Sequence, residues 1–370
     1  MNQNVKSSFK FHRQEFLVAK YKYYEHTIHF LFCEQCHFLP WGFVLPFRLI
    51  LMVIDMGKLA VVALGGNALQ RDYQRGTIEE QEKNVFKTLE SLVFLLKDGY
   101  DLVITHGNGP QVGDLLLRND AGELTYGIPQ MPLDICVAGT QGEIGYMIER
   151  ILRNALAKHG IKKNVISLIS QVVVDRKGRS FHDLVKRVGR TYPEDMARKL
   201  EKKKNWIFKE EIKSGGGFRR VVPSPRPVEI VNSSIIRSLV MAGNIVLAAG
   251  GGGIPVYIDA RGNFRPVEAV IDKDMASALL AVTIRADEFY ILTDVPYVYL
   301  NYKTPDQQIA EFITRNEARR YLKMGMFGEG SMAPKMEAAL YFIEHGGSKS
   351  VITEATKLEN KKYGSRITMN

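Results

Sequence analysis

The chain has 370 residues, 45% of them hydrophobic and 24% charged, with a formal net charge of +10. This length suits one large α/β domain, or one such domain with an insertion, and the apolar content is enough for a sizeable core. Three cysteines argue against a disulfide scaffold and favour a reducing, cytoplasmic compartment. The basic residues are spread out, the densest run being Lys202 to Lys204. No helix-turn-helix or RNA-binding signature accompanies them, so a basic cleft for phosphates is the simpler reading and no nucleic-acid partner is expected. The N-terminus lacks a charged segment followed by an apolar run and a small-residue cleavage site, so no signal peptide is expected. The longest apolar stretch, Gly42 to Ile54, contains Pro46 and Arg48. It falls short of the ~20 residues of a spanning helix, and no membrane association is expected.

Residues 1–55 are rich in aromatics and His and have no clear period. They read as a non-native or disordered extension, with a targeting or anchoring arm as the alternative. Cys33-Glu34-Gln35-Cys36-His37 has the spacing of a haem attachment site or of half a zinc site. Neither a second axial ligand nor a second ligand pair accompanies it, so chance is the simpler explanation. Met56 opens a second segment, 56–370, in which strand and helix alternate. Leu59 to Leu64 reads as a strand ending at Gly65-Gly66. Thr77 to Lys97 has helical spacing, with Val85, Leu89, Leu92, Leu95 and Leu96 on one side and Thr77 and Glu80 at capping-box spacing. Asp101 to Thr105 is a strand running into His106-Gly107-Asn108-Gly109-Pro110. Glu143 to Lys158 reads as a helix, Asn164 to Val174 as one strand, and Asn244 to Ala249 as a buried strand before Gly250. Met275 to Ile284 and Pro334 to His345 are helical, and Glu288 to Leu292 and Ser348 to Ile352 are strands. This alternation predicts a mostly parallel sheet covered on both faces. Residues 176–227 break the rhythm with charge, three consecutive glycines and a Pro-rich end, and read as an inserted lid subdomain.

Three glycine-rich loops follow three apolar strands: Gly65-Gly66-Asn67, Gly107-Asn108-Gly109 and Gly250-Gly251-Gly252-Gly253. Glycine lets a backbone approach a ligand closely and turn its N–H groups to an anion. In open α/β sheets such loops lie at the carboxyl ends of strands, where ligands bind. One such loop would be an ordinary turn; three together point to a shared anion site. There is no Walker A string, no G-x-G-x-x-G opening a helix, no G-x-S-x-G and no H-E-x-x-H. Positive charge for a phosphate must come from elsewhere. Lys273, between Asp272 and Asp274, and Lys335, after Met332-Ala333-Pro334, are the candidates, because phosphoryl transfer needs charge neutralisation more than a base.

These residues resemble the carbamate kinases of the amino acid kinase superfamily. The likeness covers about residues 57–353. It runs through Val61 to Ala68, Thr105 to Gly113, Gln141-Gly142, Arg219 to Pro225, Gly250 to Gly253, Val267 to Asp274, Leu292-Thr293-Asp294-Val295, and Gly330-Ser331-Met332 with Pro334-Lys335. The resemblance implies an open three-layer αβα sandwich with a mostly parallel sheet, a protruding lid subdomain and a homodimer. It also implies Mg2+ with ATP or ADP, and reversible transfer of a phosphoryl group between ATP and carbamate, with carbamoyl phosphate from arginine or purine breakdown consumed to form ATP. Carried over, Lys273 and Lys335 would neutralise the moving phosphoryl group and Asp274 would orient them. Lys186 would reach the phosphate from the lid. The three glycine loops, with Thr140 and Gln141, would cradle phosphate and carbamate, and Thr293, Asp294, Val295 and Met332 would lie near the nucleotide. No side chain is singled out as a metal ligand.

Two departures stand out. The family's lid pattern resembles F-x-N-P-T-K-P-x-G-P, whereas here Phe181 to Arg190 reads FHDLVKRVGR. The phenylalanine, lysine and glycine remain, but the stiffening prolines and the threonine do not. The family's Met-Ser-Gln-Gly is Gly139-Thr140-Gln141-Gly142 here, which keeps a hydroxyl. The alternatives are a phosphotransferase of this fold acting on another small carbamate-like or carboxylate substrate, and a nucleotide-binding regulatory protein without turnover.

Overall fold

The computed structural model describes residues 57–370 except 72, 212–215, 329–330 and 361, and the backbone of two strands nearer the N-terminus. The chain divides into two units, 1–55 and 56–370. In the first, Leu17–Tyr23 pairs antiparallel with His26–Phe32. The Cys33-to-His37 string lies outside the described residues.

The second unit is built on an eight-stranded sheet. Its order is Phe312–Thr314, Ser365–Thr368, Lys349–Glu354, Glu288–Thr293, Leu59–Leu64, Asp101–His106, Ile245–Leu247, Val165–Ser167. Every neighbouring pair is parallel except Lys349–Glu354 with Ser365–Thr368. The strands are continuous apolar runs because both faces are covered. Val61, Ala63, Val103, Val246, Phe289 and Ile291 enter one core, with the helices Lys273–Thr283 and Met332–Glu344. Their neighbours Ala60, Val62, Leu64, Leu102, Ile104, Tyr290 and Leu292 enter the other, with Ile78–Lys97 and Leu133–Lys158. The result is an αβα sandwich.

The helix Ile78–Lys97 begins at the Thr77–Glu80 capping box that its spacing predicts, and Val85, Leu89, Leu92, Leu95 and Leu96 are all buried. Other elements depart from expectation. The helix expected from Glu143 begins at Leu133. Gly139 and Gly142 masked its first turns, although the apolar stripe through Cys136, Val137 and Ile144 is continuous and buried. The single strand expected over 164–174 is two. Val165–Ser167 is an edge of the central sheet, and Gln171–Val174 belongs to a four-stranded sheet with Pro227–Ile230, Ile254–Ile258 and Phe264–Pro266. The break falls where Ser170 turns aside to bond Gln141 and Ala249. No expectation covers the helix Gly109–Tyr126, which has Pro110 in its first turn, where no N–H is needed, and is ended by Gly127 at φ 65°. Within 176–227 lie the helix Glu194–Lys204 and a three-stranded sheet with Phe218–Val222 between Lys186–Tyr192 and Ile207–Glu210. They share a small core of Tyr192, Ala197 and Phe208.

Candidate active site

The chain leaves Leu59–Leu64 toward Asp101–His106 on one side and later returns with Glu288–Thr293 on the other. Such a reversal of direction opens a crevice at the carboxyl ends of the strands. The three glycine loops sit there side by side, because the strands they follow are neighbours. Several of their glycines are sterically required. A Cβ at Gly65 would come within 2.6 Å of Leu292 O, one at Gly250 within 2.4 Å of His106 Nε2, and one at Gly253 within 2.1 Å of Val172 Cγ2. Gly251, Gly252 and Gly253 all have positive φ, and Ala249 before them is left-handed at φ 50°.

Beside the loops, Asp272 caps the helix Lys273–Thr283 by accepting from Asp274 N at 3.0 Å and Met275 N at 3.2 Å. The cap places Lys273 and Asp274 in the first turn. Lys273 Nζ donates to one oxygen of Asp274, and Lys335 Nζ, from the helix Met332–Glu344, donates to the other at 3.1 Å. Asp274 is 3% exposed, and the side chains of Lys273 and Lys335 are 15% and 17% exposed. Burial alone would raise the Asp274 pKa, but the two ammonium groups outweigh it and hold the carboxyl below the ordinary range. Two cations thus share one anion, leaving net positive charge at the mouth of the loops. Gly107 gives Lys273 its room, since a Cβ there would lie 3.3 Å from Lys273 Cδ.

Thr140 and Gln141, on Leu133–Lys158, tie the loops together from below. Asn108 Nδ2 donates to Thr140 Oγ1 at 2.8 Å. Gln141 Nε2 donates to Gly250 O at 2.9 Å, and Gln141 Oε1 accepts from Ser170 N at 2.8 Å. Their polar groups are engaged within the protein, which makes them supports of the loops. On the other side of the crevice lies a cavity of about 880 Å3 lined by Gly65, Gly66, Asn67, Thr293, Asp294, Val295, Met332 and Lys335. Asn67 Nδ2 donates to Asp294 Oδ2 at 2.9 Å, closing the first glycine loop onto that wall. Lys273, Gly107, Asn108 and Gly250 to Gly253 lie outside this lining, so the predicted residues form two adjoining zones bridged by Lys335. Lys186 begins the strand Lys186–Tyr192, and its Nζ stands 3.8 Å from Asp272 Oδ2.

Sequence reading passed over four residues here. Asp272 both caps the helix and receives Lys186; His106 is buried against the third glycine loop; and Tyr299 and Tyr302, 5.8 Å apart between ring centroids, line the large cavity. The D-K-D string would have signalled Asp272 as an N-cap; nothing local signals the tyrosines.

The amino acid kinase family model matches residues 58–354. The carbamate kinase of Pyrococcus furiosus is 48% identical over 302 residues, 82% of this chain and 95% of its own length. That of Thermococcus kodakarensis is 49% identical over 314 residues, 84% of this chain and 99% of its own. Among solved structures, carbamate kinase from Giardia lamblia bound to AMP-PNP is 39% identical, superposes with a TM-score of 0.79 and covers 84% of this chain and 98% of its own. The chain belongs to the amino acid kinase family, in its carbamate kinase branch, and is a kinase. Among the described residues no helix is long and apolar enough to cross a membrane.

Proposed function

We propose that the protein transfers a phosphoryl group reversibly between carbamoyl phosphate and ADP, forming carbamate and ATP, and that residues 56–370 suffice for it. The observation that carries this reading is the Lys273–Asp274–Lys335 group beside three glycine loops. An oxygen of the ADP β-phosphate forms the new bond to phosphorus. The bond from phosphorus to the carbamate oxygen breaks, and its electron pair leaves with carbamate, which decomposes to ammonia and carbon dioxide. Negative charge is spread over the phosphoryl oxygens throughout, and Lys273 and Lys335 neutralise it in place. Asp274 holds both ammonium groups in one orientation, so little reorganisation is needed. Lys186 adds a third cation from the lid. The loop N–H groups cradle the phosphates, and the large cavity takes the nucleoside.

Magnesium travels on the nucleotide's phosphates and asks the protein for one or two oxygen ligands. The carboxylates of Asp294 and Glu354 line the cavity and are the groups that would supply them. Bound there, the ion would neutralise phosphate charge. A homodimer is part of the same reading; Leu124, Tyr126, Ile128, Ile135 and Tyr146, exposed on and between the helices Gly109–Tyr126 and Leu133–Lys158, support it. The cysteine content supports a cytoplasmic location.

The test is ATP formation from carbamoyl phosphate and MgADP by residues 56–370. Turnover is expected, with Lys273→Ala and Lys335→Ala each lowering kcat roughly 100-fold, the size of loss seen when a transition-state electrostatic group is removed. Near-wild-type rates in either variant would remove that lysine from the mechanism. Nucleotide binding without turnover would point to a different substrate.

A further inference from the structure

The segment Phe181 to Arg190 that delivers Lys186 contains no proline, so whatever fixes Lys186 must come from contacts. Two elements run side by side here, the strand with a bulge between Val188 and Thr191. The helix Gly109–Tyr126, about 27 Å long at 1.5 Å per residue, begins directly after the Gly107-Asn108 loop. The strand Lys186–Tyr192 begins at the lysine itself. Val112 on the helix and Val188 on the strand share one apolar cluster. At the near end, Lys186 meets Asp272. At the far end, a second set of contacts joins the lid to the body. Tyr192 OH donates to Asp120 Oδ2, and Gln130 Nε2 donates to Asp120 Oδ1 at 2.5 Å. Lys204 Nζ, from the last turn of Glu194–Lys204, donates to Glu123 Oε2 and Gln130 Oε1, each at 2.6 Å. The side chains of Asp120 and Lys204 are each 14% exposed, so solvent and salt screen these contacts far less than surface pairs. Burial, followed by Asp120, pushes Tyr192 up to about 12, so its proton remains available to donate at neutral pH.

We propose that Asp120, Tyr192 and Lys204 form a latch that positions the lid, and through it holds Lys186 at the reaction centre. The proposal rests on the reading of Lys186 as a lid cation acting on the transferred phosphoryl group. Helix and strand behave as two arms fixed at both ends. With the far end joined, Lys186 has one position relative to Asp272 and the Gly107 loop; with it released, the lysine samples many, and a misplacement of about 1 Å at such a group costs up to ~100-fold in rate. These three are positioning residues, because none lies in the two zones of the active site.

The test is a double-mutant cycle on ATP formation. Tyr192→Phe, which removes only a hydroxyl, and Lys204→Met are each expected to lower kcat roughly three- to ten-fold with little change in the KM for ADP. Lys204→Arg should restore most of the loss. In a Lys186→Ala background both latch substitutions should change kcat no further, and amide exchange across 186–192 should quicken in the latch variants. An equal fold-loss in both backgrounds would show that the latch acts through the fold rather than through Lys186 and would overturn the proposal. Wild-type kcat in both latch variants, beside an impaired Lys186→Ala, would overturn the latch alone. Wild-type kcat in Lys186→Ala would remove the lysine from the mechanism and the coupling with it.

Discussion

His106 is 2% exposed at the end of its strand, its Nδ1 2.9 Å from Gly107 O. Burial first, and the charge of Lys273 after it, lower its pKa to about 4, although the Gly107 carbonyl opposes the shift. In the unfolded chain an imidazole titrates near ~6.5, so between these values the unfolded state binds the proton more readily. Stability is therefore fully present above about pH 6.5 and is lost as the pH falls toward 4, by about 3 kcal/mol at full extent. The depressed Asp274 carboxyl acts in the same sense at lower pH. Calorimetry should show Tm declining from pH 7 to 4.5, and His106→Asn should flatten that slope; an unchanged slope would dismiss His106 as its source. At this scale the sequence was legible only in part. A lone lysine is ordinarily a solvated charge, and nothing local shows that Lys273 and Lys335, 62 positions apart, share the carboxylate of Asp274. Their settings made them candidates, and the family resemblance supplied the roles expected of them. The cap made by Asp272 is local, but its pairing with Lys186, and the packing of His106 against Gly250, come from distant partners that no local pattern revealed.

The loop Gly250 to Gly253 is an element defined by what it lacks. Ala249 already occupies the left-handed region there. Gly253→Ala would force a methyl into Val172 at φ 88°, and should destabilise the protein by ~1–3 kcal/mol, the usual cost of overpacking and backbone strain. Urea midpoints would register this. Gly109→Ala, where a Cβ meets nothing within 4 Å, should leave the midpoint near that of the native chain, and equal midpoints for the two variants would refute the steric argument. Elements buried on both faces, such as Leu59–Leu64, were readable because double burial writes an unbroken apolar run. Elements whose starts carry glycine or proline for functional or packing reasons were misread. Gly109-Pro110 hid a helix, Gly139 and Gly142 shortened another, and the diverted Ser170 split a strand in two.

Across the whole molecule, charge is distributed far less evenly than the run-by-run reading suggested. Residues 176–227 hold 16 of the 50 Lys and Arg residues but only 6 of the 40 Asp and Glu. The lid span therefore accounts for the entire net charge of +10, and the remainder of the chain is balanced. A positive lid beside the proposed phosphate site should draw in anions over roughly a Debye length, about 10 Å at 0.1 M salt. For the proposed reaction, kcat/KM for carbamoyl phosphate should fall several-fold between about 20 mM and 0.5 M salt, with kcat much less affected. A flat salt profile would mean that the lid charge serves solubility alone. The sequence disclosed that charge by simple counting once the lid's bounds were drawn, whereas the side-by-side placement of helix Gly109–Tyr126 and strand Lys186–Tyr192 required the fold.

The order of the strands also governs when this protein becomes an enzyme during its synthesis. Leu59–Leu64 lies between Asp101–His106 and Glu288–Thr293, so one edge of the first strand of the sheet stays open until residue 293 has been added. The site closes later still, since Gly65 and Lys335 are about 270 residues apart. At the ~5–20 residues per second of translation, a ribosome takes roughly 15–55 s to cover that distance. Until residue 293 is added the nascent chain carries one open edge on a wholly apolar strand, and until residue 335 its glycine loops lack one of the two lysines that share Asp274. An unpaired apolar strand edge is a template for aggregation, so this order of synthesis puts the need for protection of the nascent chain ahead of its ability to bind a nucleotide.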